Sequence, residues 1–104
     1  MSEYQLACKQ GDVAPGAMLL VELEDRLAIV FNIEGQFYCI DDVCTHDGGP
    51  LSDGELAGCT IACPRHGAKF DVTTGQALTM PATEDTVCHD VKLDGESVYV
   101  KIME

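Results

Sequence analysis

Apolar positions fall in short runs rich in β-branched residues, separated by turn residues, and a helical period is weak throughout. The pattern predicts a first strand over Tyr4–Cys8 and a loop at Gly11-Asp12-Val13-Ala14-Pro15-Gly16. Met18–Leu23 and Leu27–Asn32 then form a hairpin around Glu24-Asp25. A turn at Glu34-Gly35 leads into Gln36–Ile40, where Phe37 and Cys39 alternate with Tyr38 and Ile40. Near the C-terminus, Val87–Leu93 and Ser97–Ile102 flank Asp94-Gly95, a strong hairpin signal. These elements imply an antiparallel all-β body, a sandwich or barrel.

The middle of the chain reads differently. From Val43 to Gly75 it is dense in Gly, Cys, His and Asp, and only Cys59–Ala62 and Lys69–Val72 resemble strands. No repeat, linker or low-complexity tract divides the chain. The expectation is one domain over residues 1–104, with residues 43–75 inserted between strands of the main body to hold something.

Composition sharpens this. A chain of 104 residues with no Trp, three Phe and three Tyr has a lean core. Small domains of this kind commonly gain stability from a metal or disulfides. The net charge of −12 opposes nucleic-acid binding, which needs clustered cations, and opposes docking on anionic membranes. Met1-Ser2-Glu3-Tyr4-Gln5 lacks the basic start and apolar run of a secretory signal, and no apolar stretch is long enough to span a bilayer. A cytoplasmic protein is expected, in which six reduced cysteines point to metal rather than to disulfides.

Two motifs stand in the insertion. Cys44-Thr45-His46 is followed by Asp47-Gly48-Gly49-Pro50-Leu51, and after sixteen intervening residues from His46 comes Cys63-Pro64-Arg65-His66-Gly67. Each loop offers one thiolate and one imidazole, close enough in sequence for a single tight turn to present both. Gly48, Gly49 and Gly67 relax the backbone, and Pro50 and Pro64 stiffen it. Two such loops supply two sulfurs and two nitrogens. A mononuclear zinc site could use the same four side chains, although zinc motifs usually pair Cys with Cys and His with His, whereas here the types alternate.

Cys44-x-His46 with Cys63-x-x-His66 resembles the signature of the Rieske-type [2Fe–2S] family, in which two His replace two Cys on one iron. The resemblance covers nearly the whole chain and implies the Rieske fold and one [2Fe–2S] cluster. Cys44 and Cys63 would bind the inner iron, and His46 and His66 the outer, redox-active one. Leu78-Thr79-Met80-Pro81 resembles the third, proline-bearing loop that covers the cluster.

Departures from the cytochrome-complex branch of the family are informative. That branch carries an additional cysteine in each ligand loop, joined as a disulfide; Gly49 and Arg65 stand at the corresponding positions here. It also directs Ser and Tyr hydroxyls at sulfur, where this chain has Ala68 and Phe70. Fewer hydrogen bonds to sulfur lower the potential, and abundant carboxylates act in the same direction. The resemblance is therefore to the ferredoxin component of ring-hydroxylating dioxygenase systems. It implies a one-electron carrier, not an enzyme, between a flavoprotein reductase and a terminal oxygenase or similar oxidoreductase. The small subunit of an assimilatory nitrite reductase is an alternative in the same fold, and a structural zinc or redox-sensing module one outside it. Oxygenase activity would need a further mononuclear iron site, for which only His89 remains.

Of the remaining residues, Cys8, Cys39, Cys59 and Cys88 are expected to be buried as small apolar side chains, and His89 to be a solvated strand histidine. Asp41, Asp42, Asp47, Asp53 and Glu55, with Arg65 and Lys69, suggest a mixed docking surface around the ligand loops.

Overall fold

A computed structural model describes residues 3–43, 50–64, 67–79 and 84–103. Nine strands appear among them: β1 Tyr4–Lys9, β2 Met18–Leu23, β3 Arg26–Ile33, β4 Gln36–Asp41, β5 Glu55–Ala57, β6 Thr60–Ala62, β7 Lys69–Asp71, β8 Cys88–Asp94 and β9 Ser97–Lys101. Single 3₁₀ turns occupy Gln10–Asp12 and Leu51–Asp53. The expected all-β class holds.

Six strands form one antiparallel sheet in the order β1-β9-β8-β4-β3-β2. Its two edge strands approach each other, and the Gln5 amide donates to the Glu24 carboxylate across the gap. The sheet is thus nearly closed into a barrel, which leaves little unpaired edge. The β2–β3 turn places Glu24 and Asp25 both at positive φ (52° and 62°), the backbone twist that a two-residue hairpin requires. The last hairpin differs by one residue from expectation. Asp94 pairs with Ser97, so Gly95 and Glu96 form the turn, with Gly95 taking φ 61°.

Alternation along β3 and β4 serves two interiors rather than one. Ile29, Phe31 and Ile40 face a cluster with Leu51, Ile61, Cys63, Ala68, Phe70 and Val72, beneath the small sheet. Ala28, Val30 and Cys39 face the barrel interior with Cys8, Val13, Leu23, Val98, Val100 and Ile102. Both faces of β3 are therefore covered, which explains its near-continuous apolar sequence.

The small sheet, β5-β6-β7, lies in sequence between β4 and β8. Two of its strands match the expected ones to within a residue; β5 is an addition. Glu55-Leu56-Ala57 is too short and too polar to announce itself as a strand, and it forms because β6 offers it a partner register, Glu55 to Ala62.

Candidate metal centre

Cys63 follows directly from β6, the central strand of the small sheet. Its amide donates to the Ala68 carbonyl (2.6 Å), and its own carbonyl accepts from the Gly67 amide (3.0 Å). Gly67 sits at φ 75°, a conformation that L side chains rarely take, so the glycine permits this tight return. Cys63 and Ala68 thus form the neck of a loop closed by its own backbone. The Cys63 side chain is buried at 2% exposure and packs within the cluster that contains Ala68 and Phe70, both at 0%. No hydroxyl from either residue reaches this wall, in keeping with the sequence. A cleft of about 350 Å³ beside Cys63 is lined by the backbone of Gly54 and by Asp53, Glu55, Ala62 and Pro64. Two acidic residues, Asp53 and Glu55, thus stand at its exposed rim.

Cys44, His46 and His66 lie outside the described residues, as do Asp47, Gly49, Arg65, Met80 and Pro81. What the structure describes is the frame on which their loops are mounted. Asp42, just past β4, donates its amide to the Leu27 carbonyl (3.0 Å) and is 6% exposed. Its Oδ1 accepts from the Ser52 amide (2.7 Å) and its Oδ2 from the Ser52 hydroxyl (3.0 Å). Leu51, next to Ser52, is fully buried in the same apolar cluster as Cys63. Along the third segment, the Leu78 amide donates to Lys69 (2.7 Å), and the Lys69 amide to the Thr79 hydroxyl (3.0 Å). Leu78 stays exposed beside β7.

Several expectations for the surrounding residues change. Asp41 and Asp42 are not free members of a docking surface. Asp41 is bonded to His89 and lies 3.6 Å from Arg26, and Asp42 is turned onto Ser52. Only Asp53 and Glu55 of the described acidic set remain exposed. His89 is not solvated: it is 3% exposed, with Nε2 2.7 Å from Asp41 Oδ1 and Nδ1 accepting the Met103 amide at 3.0 Å. Cys59 is exposed at the β5–β6 turn, because the strand begins one residue later than the sequence suggests. Cys8 and Cys39 are buried as expected, and Cys88 is half-buried. Burial, with Cys88, Asp41 and Cys8 nearby, pushes the Cys39 thiol up to about 12; burial also raises Cys8 and Cys88. A thiol held above its ordinary value is less readily the thiolate that attacks or binds metal.

Sequence reasoning missed the Asp42–Ser52 pair and Gly54. A Cβ on Gly54 would lie 1.8 Å from the Ala62 carbonyl oxygen, so the chain entering β5 presses directly against the residue before Cys63. The only available signal was a glycine after Leu51-Ser52-Asp53.

Among the described residues, the donor chemistry suits an iron–sulfur group. Cys63 offers a buried thiol outside any disulfide, at the neck of a loop closed by backbone bonds, packed on one side against an apolar cluster. A soft sulfur donor in such a setting fits iron–sulfide ligation.

Comparison with known proteins agrees with this reading. Residues 3–101 match the family described as the Rieske [2Fe-2S] domain. The ferredoxin component of a naphthalene 1,2-dioxygenase system from Pseudomonas aeruginosa is 36% identical over 88% of this chain and 88% of its own. The 3-phenylpropionate/cinnamic acid dioxygenase ferredoxin subunit of Shigella boydii serotype 4 (strain Sb227) is 35% identical over 94% of this chain and 92% of its own. Among solved structures, a chain in a complex of reduced oxygenase and oxidized ferredoxin in carbazole 1,9a-dioxygenase superposes with a TM-score of 0.89. It is 33% identical, with 97% of both chains covered. The ferredoxin of Sphingomonas yanoikuyae B1 gives 0.90 at 28% identity, over 97% of this chain and 100% of that one. A buried thiol on a closed loop, two interiors sharing one barrel wall and these end-to-end similarities converge: the chain belongs to the Rieske [2Fe-2S] domain family.

Proposed function

We propose that this protein is the ferredoxin component of a ring-hydroxylating dioxygenase system, taking single electrons from a flavoprotein reductase and delivering them to a terminal oxygenase. The observation that carries this reading is end-to-end similarity, at 35–36% identity, to ferredoxin components of such systems. Cys44, His46, Cys63 and His66 are the residues that would hold the cluster, whose chemistry when bound is reversible one-electron transfer. Residues 43–75 would then act as the cluster-binding part of a single domain spanning residues 1–104.

The chain's own residues favour a low potential, near the bottom of the Rieske range of about −150 to +300 mV. Ala68 and Phe70 bring no hydroxyl to the wall around Cys63, so sulfur there gains no hydrogen bond from them. Asp53 and Glu55 place negative charge on the cleft beside it. Both features make an extra electron less welcome. Exposed Leu78 and the small sheet's Lys69 offer a partner a mixed apolar and charged approach near the ligand loops. The cytoplasm is the compartment that suits the reading, because five described cysteines are all outside disulfides.

The test is reconstitution. With a purified dioxygenase reductase and terminal oxygenase, the holoprotein should support NADH-dependent turnover, and omitting it should abolish turnover. Reduction by the reductase with no electron delivery to any oxygenase would overturn the assignment.

A further inference from the structure

Loop 43–50 carries two of the four proposed ligands, and both of its ends are fixed to the same point. Asp42, two residues before Cys44, receives the amide and the hydroxyl of Ser52 on its two carboxylate oxygens, at 2.7 and 3.0 Å. Behind this pair, the Asp42 amide is held by the Leu27 carbonyl at the start of β3. The Asp41 amide is likewise held by the Val87 carbonyl (2.9 Å). The base of the loop is therefore anchored to the barrel on both flanks.

Beyond Ser52 the connection runs to the other ligand loop. Leu51 is fully buried in the cluster that contains Cys63. Gly54, whose amide caps the 3₁₀ turn on Leu51 (2.9 Å), leaves no room for a side chain against the Ala62 carbonyl. From Asp42 through Ser52 to Ala62 and Cys63, each step is a hydrogen bond, a buried contact or a close backbone approach. An ordinary solubilising aspartate would leave its carboxylate in water; this one is 6% exposed and makes two hydrogen bonds across ten residues.

We infer that Asp42 is a positioning residue for the cluster: its grip on Ser52 sets the first ligand loop in register with Cys63. This rests on the ligand assignment proposed above. A carboxylate is not the only group that can do it. An asparagine in its place keeps a carbonyl oxygen for the Ser52 amide and turns its NH₂ towards the Ser52 hydroxyl, which then accepts. Alanine keeps neither bond.

The experiment compares wild type, Asp42→Asn, Asp42→Ala and Ser52→Ala as holoproteins, by cluster retention against an iron chelator and by the line shape of the reduced EPR signal. Asp42→Ala should retain the cluster about 10-fold less well, the lower end of what loss of a residue supporting metal ligands usually costs. Its g-values should be broadened. Asp42→Asn should restore both properties, and Ser52→Ala should fall between. Asp42→Ala indistinguishable from wild type, or Asp42→Asn as impaired as Asp42→Ala, overturns the inference. If Asp42→Ala does not fold, Ser52→Ala carries the test, and its parity with wild type overturns it. A wild-type protein with no [2Fe–2S] signal would instead refute the ligand assignment, so the two failures are distinguishable.

Discussion

His89 Nε2 lies 2.7 Å from Asp41 Oδ1 while the same ring accepts the Met103 amide on Nδ1. An N–H pointing at Nδ1 means that nitrogen carries no proton, so the proton is on Nε2 and is donated to Asp41. The ring is a neutral bridge joining β4, β8 and the C-terminal segment, with Arg26 adding a looser contact to the other Asp41 oxygen at 3.6 Å. Its part is structural, and it lies outside the proposed ligand set.

Replacing His89 with Ala should therefore remove a hydrogen bond to a carboxylate and strand a backbone amide. A loss of about 2–3 kcal/mol is expected in urea unfolding. The reduced EPR spectrum should stay unchanged. A shifted spectrum would mean that the bridge reaches the cluster loops.

Cys39 makes stability fall at alkaline pH. Its folded-state value is raised to about 12 by burial first and then by Cys88, Asp41 and Cys8, against an ordinary value of 9.0. The folded thiol keeps its proton where the unfolded one loses it. The resulting stabilisation is complete below pH 9 and is lost as pH rises towards 12. Within that window the slope from this group approaches about 1.4 kcal/mol per pH unit. Unfolding free energies of Cys39→Ala should show a flatter alkaline decline than wild type, whatever the variant's offset at pH 7. Equal slopes would show that the buried thiol does not titrate as described.

Thiol reactivity should divide along the same lines. Cys59 is exposed, whereas Cys8 and Cys39 are buried and raised. Brief alkylation of the holoprotein at pH 8 followed by peptide mass spectrometry should label Cys59 ahead of Cys8 and Cys39. Early labelling of Cys39 would contradict the closed barrel.

Gly54→Ala tests the close approach beside Cys63. With 1.8 Å between the new Cβ and the Ala62 carbonyl oxygen, backbone must move. A cost of about 1–3 kcal/mol or more is expected, with lower iron content as purified. Gly11→Ala, where a Cβ meets nothing within 4 Å, is the control and should leave iron content unchanged.

What the sequence made legible was local. Short apolar runs over β2 and β3, alternation along β4 and turn chemistry at Glu24-Asp25 and Glu34-Gly35 placed the barrel hairpins, because all three signals act between neighbours in the chain. β5 escaped because Glu55-Leu56-Ala57 has no strand character apart from its partner. The roles of Asp41, Asp42 and His89 escaped for a related reason. Their partners lie ten to forty-eight residues away, and a carboxylate turned inward looks the same in sequence as one in water. The proposed ligand motifs stood out because donors meant for one small cluster are expected in pairs close together in sequence, and of those four residues Cys63 is the one among the described residues.

The most direct test of the account is EPR of the anaerobically purified, dithionite-reduced protein, followed through a redox titration. A Rieske signal that titrates near the bottom of the family range, about −150 mV, is the predicted result. The same signal with a midpoint above about +100 mV would contradict the proposed place between a reductase and a terminal oxygenase, and absence of the signal in iron-replete protein would contradict the cluster assignment itself.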